Sequence, residues 1–253
     1  MDAYAQAFWL PKEGSSESEY EDAFFPRRIK RRKGQRLRFA VADGATETSF
    51  SGVWARLLVR AFVRRTIGFD FAAEQIRPLQ ARWEKLVHGK SLPWYAEEKL
   101  ASGAFSSLLG LELSEEESGG EIKRVWRATA FGDSCLVQMR GSDIIAAFPL
   151  KESASFTSRP DLLSSLPTAH NASNGAVLKS EGSWGCDDSF FLMTDALGCW
   201  FFKEKEADRQ PWNLLRDLDT QGQTSFPAWI TLLRTSGAMK NDDVTLIRID
   251  IHG

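Results

Sequence analysis

Cysteine and histidine are scarce in this sequence. Three cysteines, Cys135, Cys186 and Cys199, lie far apart among 253 residues and form no CxxC pair. That spacing excludes a disulfide framework and a structural zinc knuckle, and it suits a reducing compartment. Three histidines, His88, His170 and His252, sit in polar or terminal contexts and leave little basis for an imidazole-held zinc. Any metal must then be held by oxygen. An excess of charge of one sign is missing too: 32 Lys and Arg stand against 34 Asp and Glu, a formal net charge of -2. A dedicated nucleic-acid binder carries a clear basic excess, so that class is disfavoured. No window approaches the roughly 18–20 uninterrupted apolar residues of a membrane span. The opening MDAYAQAFWLPKEG has neither the basic n-region nor the apolar core of a secretion signal, and a cytoplasmic location is expected. What the sequence does hold is core material. With 43% hydrophobic and 26% charged residues, it can build one large soluble domain over 1–253.

Apolar periodicity places strands towards both ends of the chain and helices between them. Tyr4–Leu10, Asp22–Phe25 and Leu37–Ala42 read as strands, with a polar loop at Pro11–Glu19 and a basic run at Arg27–Lys33. From Ser49 the recurrence of Val53, Leu57 and Ala61 predicts a helix, followed by helices over about Ala72–Leu86 and Trp94–Leu109. Ser114–Gly120 reads as a solvated acidic hairpin loop. Ile122–Phe131, Cys135–Arg140 and Asp143–Phe148 then follow as antiparallel strands joined by short turns. Lys151–Gly182 is rich in Ser, Pro, Asn and Thr and reads as an irregular insertion. A buried strand at Phe190–Thr194, helices over Leu197–Glu206, Pro211–Leu218 and Phe226–Thr235, and a strand at Val244–Ile251 complete the chain. Clustered strands with grouped helices predict an α+β layered domain with largely antiparallel sheets. The regular crossovers and glycine-rich first turn of a Rossmann fold are absent.

The informative acidic residues sit at strand ends. Asp43 and Asp195 each follow a buried apolar run, Asp133 lies in a tight turn, Asp242-Asp243 precedes the last strand, and Glu21-Asp22 opens the second. Carboxylates so placed can converge on one edge of a sheet, where they repel each other and raise their own pKa values. A divalent cation removes that penalty, and magnesium or manganese takes such oxygen ligands together with water. Each position taken alone also reads as turn or strand-edge chemistry, and for Asp187-Asp188 that structural reading is adopted.

The order and setting of these residues carry a resemblance. Glu21-Asp22-Ala23-Phe24-Phe25, Phe39-Ala40-Val41-Ala42-Asp43-Gly44, Ala130-Phe131-Gly132-Asp133-Ser134, Phe191-Leu192-Met193-Thr194-Asp195 and Asn241-Asp242-Asp243-Val244-Thr245 follow one another along almost the whole chain. In that order they resemble the "ED", "VxDG", "GDS", "TDG" and "DN(I/V)T" motifs of the type 2C, metal-dependent protein phosphatases (the PPM family). The run Ala101–Ser107 is similar to the family's small-residue helix before the hairpins. The resemblance implies an αββα four-layer sandwich, two packed antiparallel β-sheets flanked by helices, with a two-metal Mg2+ or Mn2+ centre at one end. It implies that Asp43 bridges the two ions with the Gly44 carbonyl completing one shell. Glu21 and Asp22 would serve the second-metal side, and Asp195 and Asp242 would hold the first metal. Asp133 would support the third, weaker ion of some members, and Asp243 would play a supporting role. The implied activity is hydrolysis of phosphoserine or phosphothreonine on a phosphorylated protein, with a Ser/Thr kinase as the opposing partner.

The sequence departs from the family pattern in four places. Ala45 replaces the histidine proposed as general acid in some members, and the phosphate-gripping arginine before "ED" is absent. Thr194-Asp195-Ala196 has alanine for glycine, a change that a helical backbone there tolerates. Lys151–Gly182 occupies the place of the family's variable flap. The basic run containing Arg27 and Arg28 reads either as a solvated hairpin loop or as an anion-attracting rim that binds substrate. Two other readings compete with an active phosphatase. One is a catalytically weak or silent module that binds a phosphoprotein or partner kinase. The other is a two-metal nuclease, which the balanced charge opposes. Cys135 reads as a buried strand residue, not a nucleophile, and the tryptophans as core.

Overall fold

The structure, a computed structural model, describes residues 1–28, 30–46, 50–88, 101–157, 160–167, 176–218 and 222–252. Two antiparallel sheets stack face to face. The first runs, in spatial order, β3 (Lys30–Lys33), β1 (Asp2–Leu10), β13 (Val244–His252), β12 (Asp188–Met193), β8 (Cys135–Arg140) and β9 (Asp143–Phe148). The second runs β11 (Leu178–Ser183), β7 (Glu121–Phe131), β6 (Leu108–Ser118), β4 (Arg36–Ala42) and β2 (Ala23–Phe25). A two-stranded ribbon pairs β5 (Phe105–Ser106) with β10 (Leu163–Ser164). Helices α1 (Ser51–Val63) and α2 (Ala73–Val87) cover the second sheet. Helices α3 (Asp195–Glu206), α4 (Pro211–Asp217) and α5 (Gly222–Thr235) cover the first. The architecture is the expected α+β sandwich of four layers.

Successive apolar residues in the central strands explain these layers. Because side chains alternate across a sheet, a strand that is apolar at every position needs cover on both faces. In β4, Phe39 and Val41 enter the core between the sheets, while Ala40 and Ala42 meet α1. In β12, Phe190 and Leu192 face the same central core, while Phe191 and Met193 meet the helices of the other outer layer. Trp54, Trp83, Trp126, Trp184 and Trp200 are all buried, as their apolar settings suggest. Arg38 ties β6 to the end of α1: it donates to Glu112 at 2.7 Å and to the Phe62 carbonyl at 2.7 Å.

Three local expectations are corrected. Of the helix expected over about Trp94–Leu109, residues 94–100 lie outside those described, and from Phe105 onward the chain is strand. Leu109, Leu111 and Leu113 enter the core between the sheets at the spacing of two that marks a strand, while Leu108 meets the helix layer; the helix expectation overlooked that alternation. The acidic tail Ser114–Ser118, expected as loop, continues β6 because its partner strand is basic. Glu115 lies opposite Arg124 and Glu116 opposite Lys123, and Arg127 donates to Glu116 at 2.5 and 3.2 Å. The tight turn is Gly119-Gly120 alone, both with positive φ. The basic run is likewise no simple loop. Lys30–Lys33 is an edge strand beside β1, with Arg31 bidentate on Asp2, and its charges suit an edge that must not pair further. Within Lys151–Gly182, Leu178–Ser183 is the edge strand of the second sheet.

Asp188 is a structural anchor. It is 0% exposed and accepts from Arg140 at 2.7 and 2.9 Å, from Gln138 at 2.8 Å and from the Gly185 amide at 2.9 Å. Asp188→Ala strands those donors and should lower the unfolding free energy by about 2–4 kcal/mol. Urea denaturation checks this; a change below about 0.5 kcal/mol would remove Asp188 from that role.

Candidate active site

Antiparallel pairing carries the end of one strand to the start of the next, and at one end of the sandwich several such junctions hold an aspartate. β4 runs out at Ala42 opposite Ala23 of β2, so Asp43 and Asp22 follow and precede paired residues. In the other sheet Met193 pairs with both Leu246 and Cys135, which brings Asp195, Asp242-Asp243 and Asp133 to that same end. Hydroxyls stitch the two sheets together there. Ser107 Oγ receives the Asp43 amide at 2.9 Å and meets Ser134 Oγ at 2.8 Å. Thr194 and Thr245 both donate to Asp22 Oδ2, at 3.1 and 2.6 Å. Tyr20 shares a very short hydrogen bond with the Thr245 hydroxyl.

Gly44 is required by space. A Cβ at this position would lie 2.7 Å from the Glu21 carbonyl oxygen and 3.0 Å from Ser51 at the start of α1, so any side chain would push Asp43 away from Glu21 and Asp22. Asp243, in turn, fixes the loop on the far side: its carboxylate accepts the Lys12 amide at 2.8 Å and the Glu21 amide at 2.6 Å. Glu21 itself accepts from Ser51 Oγ at 2.5 Å and pairs with Lys12 Nζ at 3.2 Å. Ala196 lies in the first turn of α3, so a helical backbone does accommodate alanine there.

Burial of like charges dominates the electrostatics. Desolvation, with Asp243 and Asp195 nearby, pushes the Asp22 carboxyl well above its ordinary value. Asp43 is raised in the same way, by burial and then by Asp22, Asp195, Asp133 and Asp242. Burial and the charge of Asp242 raise Asp195, although Lys240 and a hydrogen bond with Asp43 oppose them. Asp133 moves from 3.8 to about 7, through burial first and Asp195 second. These four groups thus sense one another and Asp242.

Two cations that the sequence reading passed over also enter the cleft. Lys240 Nζ lies 2.6 Å from Asp242 and 3.7 Å from Asp195. Burial works against its charge, but the Asp242 hydrogen bond and the surrounding carboxylates outweigh it and hold its pKa up. Lys12 Nζ reaches Glu21 and, at 3.3 Å, Thr46 Oγ1. Neither lysine belongs to a recognisable motif; the clue available was their nearness in sequence to Asp242 and to the loop before Glu21. Together with Asp43, Ala45, Asp133, Thr157, Asp195 and Asp242, they line a cleft of about 630 Å³. Arg27 does not line it. That side chain stacks over Phe24 and lines a separate cavity, and Arg28 lines neither. Cys135 is fully buried, and burial pushes its thiol up, which suits packing and not nucleophilic attack.

The donor set suits hard divalent cations, because it is all carboxylate and carbonyl oxygen. Asp22 Oδ1 is buried with no hydrogen-bond partner among the described residues, an orphaned acceptor of the kind a cation satisfies. Among the described residues, no group of three or more His, Cys, Asp or Glu is already gathered as a metal-holding set.

No protein-family model matches the sequence, and no curated protein matches it. Solved structures do match over nearly the full length. The serine/threonine phosphatase PstP/Ppp of Mycobacterium tuberculosis aligns with a TM-score of 0.60 at 14% identity, covering 100% of each chain. The catalytic domain of PstP in complex with 2 manganese ions aligns at 0.56 and 14%, covering 99% of this chain and 100% of that one. PppA, a regulatory component of the type VI secretion system in Pseudomonas aeruginosa, aligns at 0.55 and 17%, covering 98% and 97%. The chain has the PPM-type phosphatase fold.

The raised carboxyls predict a pH signature. Groups whose pKa is raised by folding take up protons in the native state, so stability falls as pH rises above 3.8 and is lowest above the folded values, about 7 for Asp133. In chelator, the melting temperature should drop between pH 5 and pH 8. Mn2+ should restore it by roughly 3 °C or more at pH 8 and by much less at pH 5. Differential scanning fluorimetry reads this, and a Mn2+ shift equal at both pH values would contradict the repulsion account.

Proposed function

We propose that this chain hydrolyses phosphoserine and phosphothreonine on proteins with the help of divalent cations. The observation that carries the reading is that Asp43, Asp133, Asp195 and Asp242 line one cleft, with Asp22 buried close enough to raise the pKa of Asp43, from positions spread over most of the chain. In this reading Asp43 would serve both of two Mg2+ or Mn2+ ions, and the Gly44 carbonyl would complete the shell of one. Glu21 and Asp22 serve one side, Asp195 and Asp242 the other, and Asp133 a third, weaker position. Bound there, the ions would supply charge neutralisation at the phosphoryl oxygens and a hydrolytic water acidic enough to act near neutral pH. The residues 1–253 act as one domain, with about 151–182 as its variable flap.

The chain's own groups do the rest. Thr194 and Thr245 spend their hydroxyl protons on Asp22 Oδ2 and so direct its free Oδ1. Asp243 holds the backbone of Lys12 and Glu21, which positions the Lys12 ammonium at the cleft mouth. Lys12 and Lys240 give that mouth positive charge, which attracts a phosphoryl dianion and steadies its oxygens as charge moves on to them. Ala45 offers no proton, so the departing alkoxide takes its proton from water or from another group.

One observation favours the second reading, a catalytically weak module that binds a phosphoprotein or a partner kinase. The Lys240 ammonium already sits on Asp242 and near Asp195, where it offsets carboxylate charge without any metal. Turnover separates the two. The purified chain should hydrolyse p-nitrophenyl phosphate and a phosphothreonine peptide only with added Mn2+ or Mg2+. Asp43→Ala and Asp195→Ala should each lower kcat by at least about a hundredfold while keeping the far-ultraviolet circular dichroism of the parent. A flat trace at saturating Mn2+ would select the binding module, and full activity in both variants would remove the assigned centre.

A further inference from the structure

A second cavity lies beside the carboxylate cleft, and its lining is unlike anything else in the protein. About 200 Å³ in volume, it is walled by Arg27, Arg56, Arg60 and Arg64, with Ala23, Phe24, Phe25, Val59 and Val63 as its floor. Arg56, Arg60 and Arg64 recur every four residues, so they project from one side of α1 and its C-terminal cap. Several other arginines have acidic partners: Arg31 has Asp2, Arg38 has Glu112, Arg127 has Glu116 and Arg140 has Asp188. Among the described residues no carboxylate pairs with Arg27, Arg56, Arg60 or Arg64.

The ordinary explanation covers only part of this. The C-terminal end of a helix favours cations, which accounts for Arg60 and Arg64. It does not account for Arg56, which stands in the middle of α1 and is half-buried. Burial and then the charges of Arg27 and Arg60 work against Arg56's own charge. Four cations that crowd a half-apolar hollow without a counter-charge leave its anionic occupant to come from outside.

We propose that this cavity receives an acidic side chain of the protein substrate, close to the phosphorylated residue held in the neighbouring cleft. Size favours a side chain over a nucleotide or other cofactor, whose pockets are commonly about 300–1,000 Å³. The apolar floor accepts the aliphatic stem of glutamate or an apolar neighbour of the acid. Position supplies the link to the cleft. A Cβ on Gly52 would lie 3.1 Å from Glu21 Cα and 3.3 Å from Arg56 Nη1, so the Arg56 guanidinium comes close to the backbone next to Asp22, and Ala23 of the same segment lines the cavity. The sequence-level choice of Arg27 as substrate-binding keeps a place here, moved from the rim of the carboxylate cleft to this cavity and joined by three arginines of α1.

The inference takes its substrate from the phosphatase reading, so its test has one arm that needs no turnover. In the first arm, a fluorescein-labelled, unphosphorylated peptide of alternating Glu and Leu is titrated with the whole metal-free chain, and anisotropy is read. Binding should weaken on the order of 5–10-fold in the Arg60→Ala/Arg64→Ala double variant, whose two side chains are exposed and whose loss leaves the core untouched. It should also weaken as salt rises, and a Lys-Leu peptide should not bind. In the second arm, kcat/KM is compared for phosphothreonine peptides flanked by Glu or by Gln. The parent should prefer Glu by a similar factor, expressed in KM, and the double variant should lose the preference while p-nitrophenyl phosphate turnover stays level.

Equal binding by parent and variant, or a Glu preference that survives the double substitution, overturns the proposal. So does tighter, arginine-dependent binding of a single-stranded oligonucleotide than of the peptide, which would make the cavity a nucleic-acid contact. If p-nitrophenyl phosphate is never hydrolysed but the first arm behaves as expected, the phosphatase reading fails and the acidic-peptide site stands.

Discussion

Repulsion between carboxylates that cannot move apart is the constraint around which this molecule is organised. Asp22, Asp43, Asp133 and Asp195 each have a pKa raised above the ordinary value by burial and by neighbours of the same sign. A loop could relax such a strain by swinging outward. Here the residues stand one or two positions beyond strands whose own side chains are locked in the cores. Lys240 relieves part of the repulsion from within, and oxygen-seeking cations are the natural means of relieving the rest.

The supporting structure serves that arrangement. Central strands buried on both faces form the rigid part, and the sheets meet at the carboxylate end through hydroxyls as well as through packing. Ser107 and Ser134 join the end of β4 to the turn between β7 and β8, while Thr194 and Thr245 of the other sheet orient Asp22. Asp243, an acid among acids, spends its two oxygens on backbone amides and so builds the loop that carries Lys12. Neighbouring carboxylates thus take different parts, one as backbone clasp and others as candidate ligands, because their hydrogen-bond surroundings differ.

Local reading went wrong where a strand's identity depended on its partner. In β6, Leu109, Leu111 and Leu113 share the inter-sheet face with a period of two that the helix expectation overlooked, while Leu108 meets the helix layer. Its acidic tail is extended because Lys123, Arg124 and Arg127 stand beside it. The same blindness hid Lys12 and Lys240. A lysine outside any motif looks like surface until folding sets its ammonium among carboxylates. It also hid the arginine cavity, since near-balanced total charge says nothing about where one sign is left alone.

By itself, the order of apolar runs was enough to indicate a layered α+β domain with largely antiparallel sheets, because that follows from patterns within single strands and helices; the motif resemblance added the four-layer sandwich and lifted the strand-end aspartates above ordinary turn residues. Which acids share a site, which one clasps backbone, where the lysines reach and which arginines go unpartnered were decided only in three dimensions. Those properties depend on distances between residues up to 231 positions apart, as between Asp243 and Lys12, and electrostatic interaction is set by separation in space and by surrounding dielectric, neither of which is written in any local stretch of sequence.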